Sequence, residues 1–99
     1  MNDKEFLEKH FAVGDKLEAE VEALKEALKN ASESEKEAIS EKLNKAKEVE
    51  KVYLKLAVGY SNTKTRLEMA QASFPWDVEK HTKNLEEKKK ALLDFLKNY

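Results

Sequence analysis

The chain has no cysteine. This excludes a disulfide framework, a thiol nucleophile and any cysteine metal site, and it leaves the redox compartment open. Only two glycines and one proline interrupt its 99 residues, and no Gly-rich phosphate loop or nucleophile elbow is present. No apolar run approaches the roughly 20 residues needed to span a bilayer. The opening Met1-Asn2-Asp3-Lys4-Glu5 is polar and no apolar core comes after it, so no signal peptide is expected and the cytoplasm is the expected compartment. Arginine is almost missing: Arg66 stands alone among 19 basic residues. Nucleic-acid readers lean on the guanidinium fork, so this weighs mildly against that class.

What the chain does have is charge and helical periodicity. Charged residues make up 39% and hydrophobic ones 40%, the profile of long amphipathic helices. Net charge is −1 but unevenly spread. Residues 1–50 carry 14 acids against 9 bases, net −5, and residues 51–99 carry 6 against 10, net +4. Such polarity favours packing of unlike segments or head-to-tail association.

One stretch organises the rest. Ile39, Ala46, Val49, Tyr53, Leu56, Tyr60, Thr63, Leu67, Ala70 and Phe74 recur at helical spacing, and from Ala46 the gaps alternate strictly between three and four. That is the seam of a helix packed along another helix. It predicts a central helix of roughly 38 residues, about 57 Å long. A first helix is expected over 3–30 with the seam Leu7, His10, Gly14, Leu17, Val21, Leu24, Leu28 and Ala31. Asn2 or Asp3 would cap it, and Asn30 would stop it in the left-handed conformation. Ser32 with Glu35, and Ser34 with Glu37, match the capping box of a helix start. The central helix is expected over 34–73. Pro75 ends it, and Asp77 would cap a third helix over 77–98 with Val78, His81 or Thr82, Leu85, Leu92, Leu96 and Tyr99 along one side.

The expected fold is therefore all-α: one helical domain over 1–99, an elongated three-helix antiparallel bundle or coiled-coil hairpin with a long central helix. Level pairing about the second corner places Leu85 opposite Leu67, Leu92 near Tyr60 and Tyr99 near Tyr53. The alternative breaks the central helix at 59–63, with Gly59 as a stop and Asn62 or Thr63 as a new cap, and gives a compact four-helix bundle.

Few residues offer chemistry. His10 lies in a seam, where a histidine acts as a pH sensor or metal ligand, or sets register as a partly buried polar group. Asp77 and His81, four apart, share a helix face and could give two metal ligands, but a site needs a third. Carboxylates are many but lie on exposed faces, where nothing raises a pKa for acid–base work. No catalytic, metal or cofactor role is assigned. Phe74, Pro75 and Trp76 form an aromatic corner, and tryptophan anchors interfaces well. Phe74, Trp76, Tyr60 and Leu67 are the candidate partner-binding residues. The expected function is a non-enzymatic protein–protein interaction module: an adaptor, assembly factor or small inhibitor. Its partner is another protein, a second copy, or both. The alternative is a nucleic-acid-binding accessory protein using Lys64, Arg66, Lys80, Lys83, Lys88, Lys89 and Lys90. No aromatic residue interleaves with the run at 88–90, as a stacking platform would want.

Overall fold

The computed structural model describes residues 2–99. It is 92% helical, with three α-helices and no strand among the described residues. Helix α1 spans Asp3–Lys29, α2 spans Glu33–Ser73, and α3 spans Val78–Leu96. A short 3-10 turn, Pro75–Asp77, leads into α3. Two compact units divide the chain, one up to Val52 and one over Tyr53–Tyr99.

In the first unit, α1 begins on a reciprocal cap. The Asn2 Oδ1 accepts from the Glu5 amide at 2.8 Å, and Asn2 Nδ2 donates to Glu5 Oε1 at 3.0 Å. The first bond satisfies one of the orphan amides at the helix start, and the second ties the two side chains together. At the other end, Asn30 does not adopt the left-handed conformation; it sits at φ −100°, ψ 2°. Its side-chain Nδ2 and its backbone N–H both donate to the Glu26 carbonyl, each at 3.2 Å. The side chain thus does the work that a left-handed residue would otherwise do. At the start of α2, the Ser32 hydroxyl pairs with the Ser34 hydroxyl at 3.1 Å rather than entering a capping box with Glu35.

The buried residues of α1 are Phe6, Val13, Leu17 and Val21. Leu17 and Val21 belong to the expected seam, but Phe6 and Val13 replace Leu7 and Gly14, which are half-buried. The cause is geometric. A straight helix of 3.6 residues per turn drifts about 20° per heptad against a strict seven-residue repeat. The four buried side chains lie within an arc of roughly 80° at 100° per residue, and Leu7 and Gly14 fall beyond its edge.

Helix α2 is unbroken through Gly59 and Thr63. The four-helix alternative is therefore not the fold. The Thr63 hydroxyl, which the sequence offered as a cap for a new helix, instead donates to the Gly59 carbonyl four residues back at 2.8 Å. This satisfies a buried side chain, since Thr63 is only 7% exposed, without interrupting the helix.

In the second unit, Tyr53, Thr63, Ala70, Leu92 and Leu96 are buried. The rings of Tyr53 and Phe95 lie 5.9 Å apart, and those of Phe95 and Tyr99 5.2 Å apart. Near the middle, Lys88 Cδ would stand 3.8 Å from a Cβ placed on Gly59. These contacts put α3 about one turn out of the level register, with Phe95 beside Tyr53. The connection explains the shift. Phe74 N–H bonds to Ala70 O at 2.8 Å and Asp77 N–H to Phe74 O at 2.9 Å, so the chain turns back within the last turn of α2 instead of crossing level above it. Lys89, between Leu85 and Leu92 in α3, is half-buried, as a long aliphatic stem allows.

Candidate functional site

The corner between α2 and α3 is built by one residue that cannot continue α2. Pro75 has no N–H, so α2 stops and Phe74 takes φ −134°, ψ 65°. The 3-10 turn then closes, with the Val78 N–H bonded to Pro75 O. Asp77 precedes α3 as expected, but its side chain makes no capping hydrogen bond. It instead lines a hollow of about 220 Å³ with Arg66, Met69, Ala70, Phe74 and His81.

The hollow opens beside two rings. Phe74 and Trp76 meet edge to face, with centroids 5.7 Å apart and planes at 79°, a favourable aromatic geometry. Trp76 is 74% exposed, Met69 58% and Phe74 46%. The site thus combines an apolar floor, one guanidinium, one carboxylate and one imidazole. It can bind an apolar side chain and orient a charged neighbour. Asp77 and His81 do come to the same place, but among the described residues no three His, Cys, Asp or Glu side chains gather closely enough to hold a metal ion.

The four expected partner-binding residues separate into two pairs. Phe74 and Trp76 are exposed at the corner. Tyr60 and Leu67 are half-buried along the α2 seam and do not line the hollow. The hollow adds Met69, which sequence reasoning missed because it lies off that seam.

The lysine set does not form one face. Lys64, Arg66, Lys80, Lys83, Lys88 and Lys90 are exposed, and Lys89 is half-buried. Successive residues in a helix step round by about 100°, so Lys88, Lys89 and Lys90 point three ways. Lys88 approaches Gly59 with its stem, and Lys89 lies along the α3 seam. Further along α3, Asp94 and Lys97 form an ion pair at 3.5 Å.

In the first unit, His10 stacks between neighbours, 6.0 Å from the Phe6 ring and 5.1 Å from the Phe11 ring. Burial lowers its pKa below the ordinary 6.5, because desolvation disfavours the imidazolium. No helix among the described residues is long and apolar enough to cross a membrane. Compared with known proteins, the chain matches no family model, no curated protein and no solved structure.

Proposed function

We propose that this chain is a non-enzymatic protein–protein interaction module, an adaptor, assembly factor or small inhibitor, that takes hold of its partner at the Phe74–Trp76 corner. The observation that carries this reading is the exposure of Trp76, 74% open to water beside a half-open Phe74 and an apolar hollow. Covering the exposed part of such a ring is worth roughly 3–4 kcal/mol at about 25 cal/mol per Å². That is the size of an interface hot spot. Arg66 and Asp77 at the rim would set orientation.

Trp76 is the only tryptophan, so its fluorescence reports the corner alone. The test places a photo-crosslinking phenylalanine derivative at the exposed Ser73, beside the corner, in the full chain within its host, with Trp76 kept. A discrete protein adduct is expected, and Phe74→Ala should abolish it while circular dichroism stays unchanged. Absence of any adduct, or one indifferent to Phe74, would remove the corner as the binding site. If the chain instead shifts nucleic acid on a gel at low salt, with the shift lost steeply as salt rises, the nucleic-acid alternative replaces this reading.

A further inference from the structure

Helix α2 has a second uncharged line besides its seam. Leu54, Val58, Ser61, Thr65, Met69 and Ala72 succeed one another at gaps of 4-3-4-4-3, and all six are exposed. Leu54 is 50% exposed, Val58 55% and Met69 58%. At 100° per residue the six lie within an arc of about 80°, roughly 160° round from the seam. No charged residue stands in the line. One edge of it is basic, with Lys51, Lys55 and Arg66 exposed. The other is mixed, with Glu50, Lys64 and Glu68.

The outer face of α1 has the matching chemistry. Glu8, Ala12, Asp15, Ala19, Ala23 and Glu26 are exposed at the same 4-3-4-4-3 gaps. They too lie roughly 160° round from the buried line of their helix. The edge bearing Glu8, Asp15 and Glu22 is acidic and includes Phe11, which is 61% exposed. Glu22 also pairs with Lys25 at 3.2 Å. The opposite edge carries Lys9 and Lys16. If the two helices of different copies run parallel, the small Ala12, Ala19 and Ala23 meet the larger Val58, Thr65 and Met69. The acidic edge then lies along Lys55 and Arg66, and the Lys9–Lys16 edge lies along the mixed edge of Glu50, Lys64 and Glu68. In the antiparallel arrangement, basic faces basic along one edge.

We propose that the outer face of α2 is a docking surface for a second copy of this chain, which lays the acidic outer face of its α1 along it in parallel. Charge complementarity selects the occupant, since residues 1–50 carry net −5 and residues 51–99 net +4. Each face spans 19 positions, about 28 Å of helix. Two such faces bury on the order of 1,000 Å² in total, the lower bound for a specific interface. The contact joins two different patches, so it is heterologous and adds copies head to tail.

The experiment measures the mass of the full chain in solution, by light scattering and sedimentation, across concentration and salt. The chain mass is 11.4 kDa, and the average mass should rise past twice that value as concentration increases. It should fall again at high salt, where screening shortens the reach of charge to about 3 Å. Reversing the α2 edge by Lys55→Glu with Arg66→Glu should weaken association by about tenfold or more. Reversing the α1 edge by Glu8→Lys with Asp15→Lys should do the same. All four positions are exposed, so helicity and melting should hold. A chain carrying both reversals should recover association, which a purely structural effect would not produce. The proposal fails if the wild-type chain is monomeric at every concentration, if either reversal leaves the mass unchanged, or if the combined chain does not recover. Association lost with Trp76→Ala but not with the reversals would also overturn it, and would leave the corner reading intact. A monomer that still gives the corner adduct would separate the two readings just as clearly.

Discussion

Replacing Gly59 with alanine should stabilise this protein. Glycine in a helix interior is about 0.8–1 kcal/mol less favourable than alanine, mainly because the unfolded chain has more freedom to lose. That gain is realised only where a Cβ fits and the backbone is right-handed. Both conditions hold. Gly59 lies inside the unbroken helix α2 without a positive φ. The nearest side-chain atom to an added Cβ is Lys88 Cδ at 3.8 Å, an ordinary van der Waals contact with the end of a flexible chain. No steric cost offsets the propensity term, so the net effect is about +1 kcal/mol. For a domain of this size that raises Tm by roughly 4–8 °C. Thermal and urea unfolding followed by circular dichroism, in parallel with the wild-type chain, measure it. The gain should persist in a Lys88→Ala background, since it resides in the backbone of α2. An unchanged or lowered Tm would refute the reasoning, because it would mean that residue 59 leaves the right-handed helix, as the four-helix alternative requires.

Three further perturbations test other parts of the fold. Leu92 is 0% exposed, so Leu92→Ala should cost about 2–5 kcal/mol, read as a lower urea midpoint; a loss under 1 kcal/mol would mean α3 is not packed there. Asn2→Ala removes the 2.8 Å bond to the Glu5 amide and should cost about 1 kcal/mol, with fraying of the first turn in hydrogen exchange; unchanged exchange would count against this cap. The pKa of His10 is lowered from 6.5 by burial, so below pH 6.5 the unfolded chain takes up a proton before the folded one. The stability associated with neutral His10 is therefore present above that pH and lost as pH falls through the folded value. The Tm difference between wild type and His10→Gln should shift against the wild type as pH falls from neutral to mildly acidic; a shift in its favour would contradict the sign.

The long helix was legible because its seam depends on size and spacing alone, and neither Gly59 nor Thr63 offers the chain a cheaper place to stop. Elsewhere the same reasoning fell short for particular reasons. A strict heptad picked Leu7 and Gly14, whereas a straight helix brings Phe6 and Val13 round to the buried side. Level pairing missed Phe95 beside Tyr53, because nothing in Phe74-Pro75-Trp76-Asp77 spells out that the turn is 3-10 and folds back within the last turn of α2. At the candidate site, Phe74 and Trp76 were legible from Pro75, which must end a helix and leave its two neighbours at an open corner. Met69 was not.

The reason Met69 escaped applies to the whole of α2. Its seam and its outer line repeat at interleaved gaps of three and four, so periodicity cannot say which of them is the core. Size favours one: Tyr53, Leu56, Tyr60 and Leu67 outweigh Leu54, Val58, Ser61 and Thr65. Yet residues 56–63 carry no charge at all, in a chain where 39% of residues are charged. A helix with one buried face needs no such gap, since its outer face is free to carry lysine and glutamate. An eight-residue stretch covers every side of a helix, so the missing charge falls on the outer face as well as the seam. Packing within one chain accounts for the seam. The uncharged outer line is what leaves room for a second surface to settle on it.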